Sequence, residues 1–300
     1  MAAVRSPFCQ IEKSETLILT VVSQVIPTAQ TRYVDHWSKC ADQIKAHNPD
    51  LVFLQKVGDM RGDTLRLLFQ QRLGLELYIG RSECHHTGVA WNPRRLTANW
   101  HDDFYSTSLM HGYAAVSMTP VGCQPDLRLT GISAHLNEFS AQAATAEAQL
   151  LGCRGHNPGG LGIIAGIFGY TPIGDPELAV EEHPLPFRMA RFRRSRHKPG
   201  WEADRGPSEA LALGEYSDVC GTVANTTDNP DLRHVPGSKT GFRDVQAYVT
   251  AALLPTVTGY QWTDPLGKNS STGMVFEMDL NKIDPRHVRS RVSKTRSRAR

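Results

Sequence analysis

The stretch NPDLVFLQKV, from Asn48 to Val57, decides the fold. Its centre, Asp50–Leu54, is a short apolar run of the kind that forms a buried strand. Just upstream, Val34, Trp37, Ala41 and Ile44 fall on one face of a helix. That helix must stop at Asn48-Pro49, because proline disfavours helical backbone in the residue before it. Further runs repeat the theme in both directions. Thr16–Val22, Gly88–Trp91, Leu127–His135, Leu161–Ala165 and Gly273–Leu280 read as strands rich in Val, Ile and Leu. Ser140–Leu151 reads as a second helix, capped by Ser140 and filled with alanine. Regularity also returns over Val245–Leu254, and there are no internal repeats. Strands alternating with helices predict an α/β domain.

Charge sorts along the chain. The 33 Lys and Arg outnumber the 30 Asp and Glu, for a net charge of +3. Seven of the basic residues lie from Arg286 to Arg300 with no acid among them, and six more lie from Arg188 to Lys198. Without both segments, 20 basic residues face 30 acidic ones, a body charge of −10. The chain is an acidic body with two basic segments, so its basic total is no argument for nucleic acid. The run RMARFRRSRHK, with Phe187 and Phe192 beside it, has the composition to clasp phosphates, but pairing with the acidic body is the preferred reading. Nucleic acid is therefore not the expected partner.

No run approaches 18 apolar residues, so no membrane span is expected. The six cysteines are spread without metal-ligand spacing, and the start MAAVRSPFCQIEKSE has no apolar leader core. Reduced thiols and a cytoplasmic location are expected. Residues 1–14 read as an extension, 15–284 as one domain with a long irregular excursion near 174–210, and 285–300 as a disordered basic tail.

Three phrases in order, NPDLVFLQKV, ISAHL at Ile132–Leu136 and IIAGIFGYTP at Ile163–Pro172, resemble the endonuclease/exonuclease/phosphatase, or DNase I-like, superfamily. The resemblance spans roughly residues 15–280 and implies a four-layered sandwich: two mixed β-sheets face to face, flanked by helices. It also implies a cleft at one edge of the sandwich and phosphoester hydrolysis with Mg²⁺. The residues that such chemistry needs are largely replaced. The metal-binding Glu after Leu-Gln is Lys56, and Gly-Asp-x-Asn reads Gly166-Ile167-Phe168-Gly169. The first-strand Asn is Val22 or Ser23, the C-terminal Asp-His pair aligns with Ser270-Ser271, and a preceding Asp is Val245 or displaced to Asp244. His135 stays in place, and Tyr113 and Arg243 fall where such residues are common.

Magnitude weighs against the inherited reaction. An ammonium about 4 Å from a divalent cation costs roughly 8 kcal/mol at an effective dielectric near 20. No metal and no cofactor is therefore expected. The expectation is instead a repurposed enzyme doing cyclisation, isomerisation or elimination on a small, largely apolar molecule, as in secondary metabolism. His135 would be the acid/base and Glu138 its orienting partner. Val22, Lys56, Tyr113, Ile167, Phe168, Arg243, Val245 and Trp262 would line the cleft. The competing readings are a pseudoenzyme that binds a ligand or protein, and a residual nuclease or phosphatase. Residue by residue, His135 is otherwise a structural histidine bonded to backbone, Glu138 an exposed loop carboxylate, and Lys56 either an anion-binding group or a neutral replacement. Trp262 and Trp201 are otherwise packing residues, and Cys84-His85-His86 is expected to be a polar surface loop.

Overall fold

A computed structural model describes residues 17–26, 33–57, 63–123, 127–156, 160–195, 199–236, 242–264 and 272–284. In chain order the first half holds β1 (Ile18–Val25), α1 (Tyr33–Ala46), β2 (Leu51–Gln55), α2 (Asp63–Arg72), β3 (Glu76–Ile79), β4 (Gly88–Trp91), β5 (Leu96–Asp102) and β6 (Tyr113–Pro120). Next come β7 (Leu129–His135), α3 (Ala141–Gly155), β8 (Leu161–Ile167), α4 (Leu185–Arg191), β9 (Phe192–Arg194) and β10 (Trp201–Ala203). The chain ends with α5 (Gly206–Leu213), β11 (Tyr216–Asp218), α6 (Val219–Thr226), β12 (Val245–Thr250), β13 (Val257–Trp262) and β14 (Met274–Asp279). No helix among the described residues is long and apolar enough to cross a membrane.

Two six-stranded sheets form, in the orders β13-β14-β1-β2-β4-β3 and β11-β12-β8-β7-β6-β5. Each has one parallel pair, β1 with β2 and β7 with β8, and is otherwise antiparallel. Successive strand side chains point to opposite faces, which sorts the apolar residues into three layers. Val21, Phe53, Val89 and Phe276 of one sheet meet Leu129, Ile163, Val245 and Val249 of the other in the core between the sheets. Val22, Val52 and Leu54 face outward and are covered by Trp37, Cys40 and Ile44 of α1 and Phe69 of α2. Ile132, Ala134 and Ile164 face the other way, under Ala144, Ala148 and Leu151 of α3 and Leu211 of α5. This is the expected four-layered α/β sandwich.

The strand centres fall where expected, while some ends move. The first strand runs to Val25 rather than Val22, and Ser140 caps α3 by accepting the Ala143 N–H at 3.3 Å. The excursion carries the short α4 and the β9–β10 ribbon, so it has regular structure in pieces. Residues 1–14, the tail 285–300 and Ser270-Ser271 lie outside the described residues. One cysteine expectation changes: Cys123 is disulfide-bonded, whereas Cys40, Cys84, Cys153 and Cys220 are free.

Candidate active site: three imidazoles at the mouth of the sandwich

β2, β7 and β8 end, and β4, β6 and β12 begin, at the same edge of the sandwich. Residues flanking those ends therefore converge however far apart they are in sequence. On β7, Ser133 and His135 share the inward face. The Ser133 hydroxyl donates to the Leu54 carbonyl at 2.8 Å and accepts from the Gln55 amide at 3.1 Å, while Ser23 donates to Gln55 at 3.4 Å. This buried polar bridge ties the two sheets together directly below the mouth. It sets His135 opposite Lys56, the residue after Gln55. Lys56 has φ of 56°, a left-handed conformation that non-glycine residues rarely adopt.

His135 is 1% exposed and stacks on His111, with ring centroids 3.9 Å apart and planes 11° from parallel. His85 joins at 5.4 Å from His111 and 6.0 Å from His135, also near-parallel. Neither nitrogen of His111 or His135 has a hydrogen-bond partner among the described residues. Burial, with the neighbouring imidazoles, Lys56 and Arg191, pushes His135 down to about 2. Burial also lowers His111, to about 4, against the pull of Glu138. His85 is lowered by burial and by Lys56. All three rings are neutral at pH 7.

The loops that carry these rings are fastened. Glu147, on α3, accepts the Met110 N–H at 3.2 Å and the Asn137 N–H at 2.6 Å, so one buried carboxylate holds the segments beside His111 and His135. Burial raises its proton affinity, against those two bonds. Gly112, with φ of 69°, turns the chain from His111 into β6 where a Cβ would collide with the Arg81 carbonyl and Ser106 hydroxyl.

The expected residues divide into two groups. His135, Lys56 and Glu138 come together, and Ile167 and Val245 lie in register beside His135 on the inward face, where both are buried in the core rather than lining open space. The other five point elsewhere. Val22 faces α1, because its strand neighbour Val21 takes the inward side. Tyr113 faces outward and its hydroxyl donates to Asp102 at 3.0 Å. Phe168 packs in the outer layer against Tyr248. Arg243 is fully buried between Asp175 and Asp218, and Trp262 packs on the core with its indole N–H donating to the Leu232 carbonyl at 2.8 Å. Among the described residues His135 has no backbone partner.

Sequence reading missed His85, His111 and Arg191 as site residues. Of Cys84-His85-His86, only Cys84 is exposed; His86 is buried and His85 belongs to the stack, which corrects the surface-loop expectation. Arg191 reaches the site from the basic run, 3.8 Å from Glu138. The cleft is consequently charged on both sides rather than at Lys56 alone.

Among the described residues the donor set does not fit magnesium. That ion requires an octahedron of oxygen ligands, and the carboxylate in the imidazole cluster, Glu138, already faces Arg191. Parallel stacked rings also aim their in-plane lone pairs along separate planes, so they do not converge on one ion. Among the described residues no group of three or more His, Cys, Asp or Glu is placed to hold a metal.

The sandwich and its cleft edge define a class, the DNase I-like fold. Solved structures with this architecture include an endonuclease/exonuclease/phosphatase from Bacteroides vulgatus, at TM-score 0.60 and 11% identity over 87% of this chain and 98% of that one. D. rerio TDP2 complexed with a single-strand DNA product superposes at TM-score 0.58 and 14% identity, covering 87% and 98%. The 3′ phosphatase NExo from Neisseria, bound to a product DNA hairpin, does so at 0.55 and 11%, covering 87% and 99%. No family model and no curated protein sequence matches the chain.

Proposed function

We propose that the protein is an enzyme that moves protons on a small organic molecule in this cleft, with His135 and His111 as the acid/base pair and without Mg²⁺. The observation that carries this reading is a pair of buried, neutral imidazoles whose nitrogens have no hydrogen-bond partner among the described residues. Buried polar atoms are normally paired, and an unpaired one costs about 1–3 kcal/mol. A site that keeps such atoms free gives them to a substrate. A neutral imidazole accepts a proton at one nitrogen and donates a hydrogen bond from the other. A proton taken from one substrate atom by a ring nitrogen and returned from that same nitrogen to another substrate atom leaves the protein unchanged. Isomerisation, cyclisation and elimination fit that balance, because they need no co-reactant. Glu138 favours the protonated form of His111 and His85, which makes it the group that steadies the ring holding the proton.

A small molecule is a better partner than nucleic acid because the basic run is largely spent within the protein. Arg193 pairs with Glu202 and Glu209, Arg188 donates to the carbonyls of Glu181 and His183, and Arg194 lies over Trp201. A binding-only role is the second reading, favoured by the 1% exposure of His135. Turnover of small organic acids and ketones by the pure protein in EDTA, lost in His135→Asn and His111→Asn, is the expected result. Mg²⁺-dependent cleavage of a generic phosphodiester, abolished by His135→Asn, would overturn the proposal.

A further inference from the structure

Two arginines, Arg243 buried and Arg191 half-buried, are used in opposite ways. Arg243 donates four hydrogen bonds, at 2.6–3.0 Å, to the carboxylates of Asp175 and Asp218. Arg191 keeps 15% of its side-chain surface, yet its guanidinium makes no hydrogen bond among the described residues. Its nearest carboxylate, Glu138, stands at 3.8 Å, beyond hydrogen-bond distance. What holds it is aromatic: the guanidinium lies 4.4 Å from the Phe187 ring centre and 5.2 Å from that of Phe242. Cation–π contact occupies the faces of the group and leaves its in-plane N–H donors free.

A glycine leaves room beside the guanidinium. Gly169 has φ of 71°, and a Cβ there would sit 3.6 Å from the guanidinium, so a longer side chain would compete for the same space. Arg191 and Lys56 both depress proton binding by His135. Lys56 adopts a strained backbone, and such strain, worth about 1–3 kcal/mol, collects at ligand sites. A desolvated planar fork with unused donors is built for an oxyanion, and a carboxylate matches it through two parallel bonds.

We propose that Arg191, with Lys56 as a second cation of the same site, anchors the carboxylate of a small organic acid beside the imidazole stack. This rests on reading the cleft as a small-molecule site. A monoanion suits the position better than a dianion, because Glu138 and Asp244 also act on Arg191 and repel a second negative charge. The carboxylate would lie beside the imidazole stack and hold the reacting carbon within reach of His135 and His111.

Calorimetry and imidazole NMR on the full chain at pH 7 in EDTA test this, with benzoate, acetate and inorganic phosphate as probes. Benzoate is expected to bind saturably and shift the His111 and His135 resonances, with acetate weaker and phosphate weaker still. Arg191→Met should weaken benzoate about tenfold or more, Arg191→Lys less, and Glu138→Gln should tighten it. Lys56→Met is the second variant should Arg191→Met fail to fold. Absence of saturable benzoate binding, unchanged binding in both charge-removing variants, or preference for phosphate overturns the anchor. Those outcomes leave the proton-transfer reading standing as long as both imidazoles remain neutral at pH 7 and turnover depends on them.

Discussion

The imidazoles of His111 and His135 lie face to face, 3.9 Å between centroids and 11° from parallel, although 23 residues and a whole strand separate them. Two rings this close in a buried setting cannot both carry a proton cheaply. Each protonation adds a desolvated charge beside a like one and beside Lys56.

Stability should therefore fall on the acid side. In the unfolded chain both histidines titrate near 6.5, about the ordinary value, whereas in the folded chain His111 titrates at about 4 and His135 at about 2. Between those values the unfolded state binds more protons, so their contribution is complete above pH 6.5 and is lost as pH falls. For His111 the loss by pH 4 is on the order of 3 kcal/mol. Urea melts from pH 8 to pH 4 should show the slope, and His111→Asn should flatten it. A flat wild-type profile sinks the idea.

Glu147 should act on rings it does not touch. Glu147→Ala leaves the Met110 and Asn137 N–H groups unpaired, at a cost of about 1–3 kcal/mol each where they stay buried. The loops on either side of the stack should loosen and His111 should titrate nearer 6.5. Glu147→Gln keeps one carbonyl oxygen and should fall between. Unchanged imidazole titration in a folded Glu147→Ala protein would contradict this.

Arg243 is predicted to be structural. Arg243→Met leaves Asp175 and Asp218 buried without their shared cation, which costs about 3–5 kcal/mol. Burial already holds Asp175 above the usual carboxylate range even with Arg243 present. Chemical denaturation should show that loss, and Arg243→Lys should recover only part of it, since an ammonium cannot make two bidentate pairs.

The bridge under the mouth gives a fourth expectation. Ser133→Ala removes the donor to the Leu54 carbonyl and the acceptor for Gln55, and should cost about 1–3 kcal/mol while the fold persists. Loss of coupling between the sheets should also shift the His135 imidazole resonance. A silent His135 signal would show that the bridge does not position it.

Much of the fold could be read from residue order alone, because burial writes itself into the sequence with the period of a strand or helix. Gly88–Trp91 was legible to the residue, and Asn48-Pro49 marked the end of α1 through proline's local sterics. The β5 and β13 segments were not legible, since half-exposed alternation over a few residues resembles a loop.

For the site, local reading reached His135, Lys56 and Glu138, which sit inside or beside recognisable phrases. Which face a side chain takes was decided by register: one step along a strand sent Val22 to the helix layer and kept Val21 in the core. The meeting of His85, His111 and His135, and the arrival of Arg191 from the basic run, were decided only by the tertiary structure. They depend on which strands end at the same edge, and that is set by pairing between distant segments rather than by any neighbour in the chain.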